Sequence, residues 1–187
     1  MRLTFADGKQ PLAALDHLLV VAEKGRFGPR GRLRTSLRTL LGEAVAALVH
    51  ELGDEASAGA LGGTATSRGP NGARVTTGVL ADDVSRHATA ARSEGVQRVV
   101  AAAGLDGNKR NAVLLVVDDE QHVLARCNAV GRAVPEFTQK SGKHGGGSLK
   151  IVCVRPDGTP IPVDATVRDL VGRAREAARF VDTPPTE

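Results

Sequence analysis

Apolar positions in the first third of the chain fall in short blocks separated by turn-forming residues. Leu3 to Phe5 alternates weakly and runs into Asp7-Gly8, which predicts a short strand closed by a turn. Leu15 to Ala22 is a continuous apolar run between Pro11 and Gly25, rich in branched side chains, and reads as a buried strand. A linker punctuated by Gly28, Pro29 and Gly31 follows from Arg26 to Arg34. Thr35 or Ser36 is then placed to cap a helix reaching Leu52, with Leu37, Leu40, Leu41, Ala44, Val45, Leu48 and Leu52 on one face and Gly53 as its stop.

Between Asp54 and Arg74 the chain is mostly Gly, Ala, Ser and Thr. Pro70-Asn71-Gly72 is a turn signal, so Gly63 to Ser67 and Ala73 to Leu80 are expected as two arms of a hairpin. The composition of Arg86 to Ala103 predicts a helix, with Val96, Val99, Val100 and Ala103 on its apolar side. Asn111 to Asp118 is apolar on both faces and should be a central strand. A helix from Glu120 to Val134 is expected next, with Val123, Leu124, Cys127, Val130 and Gly131 inward and Pro135 as its stop. Lys140 to Ser148 forms a connector, Leu149 to Val154 a buried strand, and Pro156-Asp157-Gly158 a turn. Asp164 then caps a helix to Phe180 or Val181, with Val167, Leu170, Val171, Ala174, Ala177, Ala178 and Val181 at helical spacing. Strands and helices alternate after residue 75, which predicts an α/β fold with a mixed, mostly parallel sheet sandwiched by helices and a β-hairpin region in its N-terminal part.

Composition narrows the function. A chain of 187 residues with 41% apolar and 25% charged residues has room for one ordinary domain, not a disordered tail or a coiled coil. Its four Phe, with no Tyr or Trp, argue against a surface that stacks nucleic-acid bases on aromatic rings. The net charge of +4 is small and mostly interleaved. One exception is Arg26, Arg30, Arg32, Arg34 and Arg38, which run without an acid until Glu43 and form a candidate nucleic-acid contact.

Candidate chemistry is sparse. Cys127 and Cys153 each sit in an apolar stretch and read as reduced core residues of a cytoplasmic protein, with no apolar run long enough to span a bilayer. The glycines at 142, 145, 146 and 147, with Lys140 and Lys143, follow a helix and lead into a strand. A phosphate loop needs the opposite order, so this segment reads as a connector. None of His17, His50, His87, His122 and His144 stands at a metal-ligand spacing, and there is no Gly-x-Ser-x-Gly elbow. His17 beside Asp16 reads as a satisfied structural histidine. Asp118, Asp119 and Glu120 cluster at a strand end, where ligands bind in α/β sheets, yet capping of the next helix explains them better. The reading therefore assigns no catalytic, cofactor-binding or metal-ligating residue to this chain.

The last helix and its exit carry a resemblance. Ala174-Arg175-Glu176-Ala177-Ala178-Arg179-Phe180-Val181-Asp182-Thr183-Pro184-Pro185 resembles the segment joining the two domains of the leucyl aminopeptidase (cytosol aminopeptidase) family. That segment is an Ala/Arg-rich helix followed by Leu-Val-Asn-Thr-Pro-Pro-Asn; here Asp182 and Thr186 replace the two asparagines, a pattern similar to the probable aminopeptidase-like branch. Val84-Ser85-Arg86-His87, the Asn111 to Asp118 strand, Ala133-Val134-Pro135-Glu136-Phe137-Thr138 and Lys140-Ser141-Gly142 also match that branch, so the likeness covers about residues 75 to 187.

The resemblance implies a macro-domain-like N-terminal module. It divides the chain into a non-catalytic domain over 1–163 and a linker helix with the start of a junction over 164–187. It also implies a separate catalytic domain that binds two divalent metals (Zn or Mn), a hexamer as holoenzyme, and peptides as its substrates. The family's metal-binding glycine-rich stretch and its Asn-Thr-Asp-Ala-Glu-Gly-Arg motif do not occur here. Since the chain stops at Glu187, Asp182, Thr183, Pro184, Pro185 and Glu187 are expected to mark a processing or junction site at an exposed joint. Three functions stay open: a processed part of a metallo-aminopeptidase, a DNA-binding module using the arginine run, and a domain binding an ADP-ribose-type ligand.

Overall fold

The computed structural model describes residues 1–6, 15–28, 33–84, 89–134 and 146–181, with side chains to residue 177. Five strands are parallel: β1 (Arg2–Ala6), β2 (His17–Glu23), β4 (Arg74–Leu80), β5 (Arg110–Val116) and β6 (Ser148–Val154). β3 (Gly63–Arg68) runs antiparallel to β4 and forms the expected hairpin, turned at Gly72 with φ +75°. β7 (Pro160–Ile161) pairs antiparallel with the end of β6. The sheet order is β1-β6-β5-β2-β4-β3, so β2 and β5 lie at its centre. Both are buried almost throughout, which is why their sequences are apolar runs without alternation.

Alternate strand residues feed two cores. Leu18, Val20, Ala22, Leu114 and Val116 face α1 (Leu33–Leu41) and α2 (Glu43–Glu55). Leu19, Val21, Val113 and Leu115 face α3 (Ser93–Ala102) and α4 (Val123–Ala133), against which α5 (Ala165–Val181) packs. The result is a sheet sandwiched by helices, as the alternation of elements predicts.

Several elements differ from the sequence reading, each for a local reason. The single helix expected from Thr35 or Ser36 to Leu52 begins at Leu33 and breaks at Gly42, whose φ of +81° only glycine adopts without strain. The break re-phases the second helix: Ala46, Val49 and Leu52 are buried while Ala44 is exposed. Gly53 does not stop that helix; it is buried within it, and a Cβ there would overlap the Phe27 ring. The end comes at Glu55. There the ammonium of Lys24 donates to the carbonyls of Gly53, Asp54 and Ala56 at 2.8, 2.6 and 2.9 Å.

The helix expected from Arg86 starts only at Ser93, because Arg92 is left-handed (φ 49°, ψ 36°). The helix expected from Glu120 opens as a 3-10 turn over Glu120–His122 and becomes α-helical at Val123. Leu124, placed inward by the sequence reading, is 39% exposed, and Arg126 takes the buried position instead. Leu170 and Ala177 are likewise exposed on α5, whose buried residues include Val171 and Arg175. Asp164 does cap α5, accepting the Val167 N–H at 2.8 Å. Most of the connector from Lys140 to Ser148 and the start of the helix expected from Arg86 lie outside the described residues.

Candidate functional site

β2 leaves the sheet toward α1 and α2, whereas its neighbours β4 and β5 leave toward α3 and α4 on the other face. Such a reversal opens a crevice beyond the carboxyl ends of the strands, the usual ligand site of parallel α/β sheets. Here the chain fills it with its own charges. Glu23, the last residue of β2, is 4% exposed, and Arg126 from α4 is 1% exposed. Arg126 donates from Nη2 to Glu23 Oε1 at 2.5 Å and from Nη1 to the Val116 carbonyl at 2.6 Å. The second Glu23 oxygen and Arg126 Nε are buried with no hydrogen-bond partner among the described residues.

Arg92 closes the crevice on the β4 side. It donates to the carbonyls of Ala81, Asp82 and Ala90 at 2.6, 2.5 and 3.0 Å, and reaches Glu23 Oε1 at 3.5 Å. A left-handed non-glycine residue costs about 1–2 kcal/mol; the side-chain bonds of Arg92 offset that cost and hold the entry to α3. Beside it lies a cavity of about 260 Å³, between Leu61, Leu80 and the start of α3. That is below the roughly 300–1,000 Å³ of typical ligand pockets.

The outer rim is also paired. The Gly25 N–H donates to both Asp82 carboxylate oxygens at 2.9 and 3.0 Å. Arg26 Nη2 meets Asp118 Oδ1 at 2.6 Å, and Arg155 pairs with Glu120. Asp119 accepts the backbone and side-chain amides of Gln121 at 3.0 and 2.6 Å, the capping role anticipated for this acidic cluster. This donor set does not fit a two-metal centre: each of Asp82, Asp118, Asp119 and Glu120 is engaged, and no group of three or more His, Cys, Asp or Glu side chains among the described residues is arranged to hold a metal ion.

Of the arginine run, Arg34 and Arg38 both lie 3.5 Å from Glu43 and Arg26 pairs with Asp118, so each faces a carboxylate. Arg30 and Arg32 lie outside the described residues, as do Asp182, Thr183, Pro184, Pro185 and Glu187. Cys127 and Cys153 are fully buried free thiols with sulfurs 3.6 Å apart; their mutual hydrogen bond, then burial, pushes the Cys153 thiol well above its usual range. His17 is 3% exposed and its Nε2 lies 2.8 Å from Thr76 Oγ1, a satisfied structural histidine as the sequence indicates.

Sequence reasoning passed over Glu23, Arg92 and Arg126. Arg126 carried a readable signal, since it lies three residues after Val123 and four before Val130, on the inward face. Glu23 ends an apolar run, and nothing local in the sequence marks its carboxylate as buried.

A family model for the N-terminal domain 2 of M17 aminopeptidases matches residues 34–143. No curated protein sequence matches significantly. Among solved structures, leucyl aminopeptidase from Leishmania major in complex with actinonin superposes with a TM-score of 0.75 at 23% identity, over 98% of this chain and 36% of that one. An M17 aminopeptidase from Trypanosoma brucei gives 0.66 at 22% identity, over 91% and 34%. A leucine aminopeptidase from Caenorhabditis elegans gives 0.65 at 16% identity, over 98% and 37%. The chain therefore spans little more than a third of the length of these structures, and at such identities the likeness speaks for the fold. With more than half of its residues matched by the family model, the chain belongs to the M17 aminopeptidase N-terminal domain family.

Proposed function

We propose that the chain is the non-catalytic N-terminal part of an M17 leucyl aminopeptidase-type exopeptidase, a cytoplasmic metallopeptidase that removes N-terminal residues from peptides. The observation that carries this reading is the family match over residues 34–143, on a chain whose carboxyl-edge charges are spent on structure. In this reading, residues 1–163 form the domain and 164–187 lead into the junction. The domain's role is assembly and control of peptide access in a hexamer, and two divalent metals, Zn or Mn, belong to the catalytic domain. The kinship to macro domains expected from the resemblance is part of the same proposal. Among the described residues no helix is long and apolar enough to cross a membrane.

Native mass spectrometry of the protein recovered from its own cells, followed by leucine p-nitroanilide hydrolysis with added Zn or Mn, tests the reading. The isolated 187-residue chain should be inactive, and it should be recovered in one assembly with a metal-binding catalytic polypeptide, either separate or continuous with it. Metal-stimulated turnover by the isolated chain, or its recovery free of any such polypeptide, would refute the proposal.

A further inference from the structure

At the opposite edge, where β2, β4 and β5 begin, a half-open polar cavity of about 700 Å³ is lined by Asp16, Thr66, Ser67, Arg68, Arg74 and Lys109, among others. Its charges are not balanced internally. Asp16 is the one carboxylate among the lining residues, and it is already taken by Arg110, whose backbone N–H lies 2.9 Å away and whose guanidinium lies 3.3 and 3.4 Å away. These bonds, the backbone one first, hold the Asp16 carboxyl below its usual range. By contrast, the side chains of Arg74 and Lys109 have no hydrogen-bond or ion-pair partner among the described residues, and Arg68 reaches only the Gly72 carbonyl at 3.3 Å. Three cations thus share one cavity with a carboxylate that a fourth cation has neutralised.

The potential this creates is felt inside the fold. Burial first, and then the charges of Arg74 and Lys109, push the His17 imidazole down to about 4. Thr66 Oγ1, on the cavity wall, lies 2.9 Å from Thr76 Oγ1, which in turn meets His17, so the wall connects to the buried ring by hydroxyls. Arginine and lysine around hydroxyl donors complement the oxygens of a phosphate, with several donors converging on one anion. The lining contains no aromatic side chain, so the cavity has no stacking surface for a nucleobase.

We propose that this cavity at the amino-terminal edge of the sheet binds a small phosphorylated anion, a phosphate ester or polyphosphate without a stacked base, through Arg68, Arg74 and Lys109. Nothing in the aminopeptidase reading requires such a site, and the two stand or fall separately.

Isothermal titration of the 187-residue chain with inorganic tripolyphosphate at low ionic strength tests it. One saturable site is expected, weakened about tenfold by Arg74→Gln or by Lys109→Gln and lost in the double variant. Both side chains are exposed, so the variants should keep their circular dichroism spectrum. Arg26→Gln, at the other edge, should leave the affinity unchanged. In the unmodified chain, saturating tripolyphosphate should raise the His17 pKa, read by NMR of the ring, which needs no variant. Absence of saturable binding overturns the proposal, as does equal binding by the double variant or equal weakening by Arg26→Gln. Tighter binding of a charge-matched glutamate peptide would likewise overturn it, by making the surface a protein contact.

Discussion

The two edges of the sheet use the same residue types to opposite ends. At the carboxyl edge, Arg126 and Arg92 converge on Glu23, and Arg26 and Arg155 meet Asp118 and Glu120. At the amino edge, Arg74 and Lys109 face a cavity with no partner among the described residues. The difference lies in where the acids fall. At the carboxyl edge Glu23, which ends β2, and Asp118 and Glu120, which follow β5, reach arginines across the crevice, and Asp82, which follows β4, takes the Gly25 N–H, so charge there fastens crossovers that diverge to opposite faces. At the amino edge Arg68 and Arg74, on either side of the hairpin turn, and Lys109, just before β5, line a cavity whose one lining carboxylate is Asp16. A charged residue is therefore structural or available for a ligand according to what the neighbouring loop supplies, not according to its own type.

The largest effect that could break this comparison concerns Arg126. Its replacement by Ala leaves Glu23 buried with Arg92 as its remaining cation, 3.5 Å away. Loss of about 3–5 kcal/mol is expected in urea unfolding. A loss below about 1 kcal/mol would mean that the carboxyl edge is not fastened by its ions.

His17 sharpens the other side. Its pKa is lowered from 6.5 to about 4 in the fold, so the unfolded chain binds more protons between those values. The contribution of the neutral ring is fully present above about pH 6.5 and is lost as pH falls through about 4. The loss should not exceed about 3 kcal/mol, which is what a shift of that size is worth. His17→Gln should flatten the acid limb of stability against pH, and an unchanged limb would refute the assignment. The smallest effect is expected at Arg26, whose pair with Asp118 is 41% and 39% exposed. Arg26→Ala should change the unfolding free energy by less than about 1 kcal/mol, and less still in 1 M salt.

Much of the fold was legible in the chain. Continuous apolar runs marked β2, β5 and β6, Pro70-Asn71-Gly72 marked the hairpin, and Asp164 marked the start of α5. The failures have a common physical origin. Gly42 breaks a pattern that periodicity alone would continue, and the left-handed Arg92 is held by carbonyls from a distant turn that no local rule reveals. The same holds for the site: Glu23, Arg92 and Arg126 lie far apart in sequence and acquire meaning only when the crossovers bring them together. The acids at 118–120 were readable as caps because a cap is a local structure.

The first strand has a consequence for the order in which the chain is made. Among the described strands β1 pairs with β6 alone, with Arg2 opposite Ser148, so its hydrogen-bonding partner is synthesised long after it. At ribosomal rates the interval is roughly 10–30 s. The inner strands can pair in that interval, while Leu3 and Phe5 have no sheet to join. During translation β1 is thus a waiting segment, and this edge of the sheet is completed only once β6 has emerged.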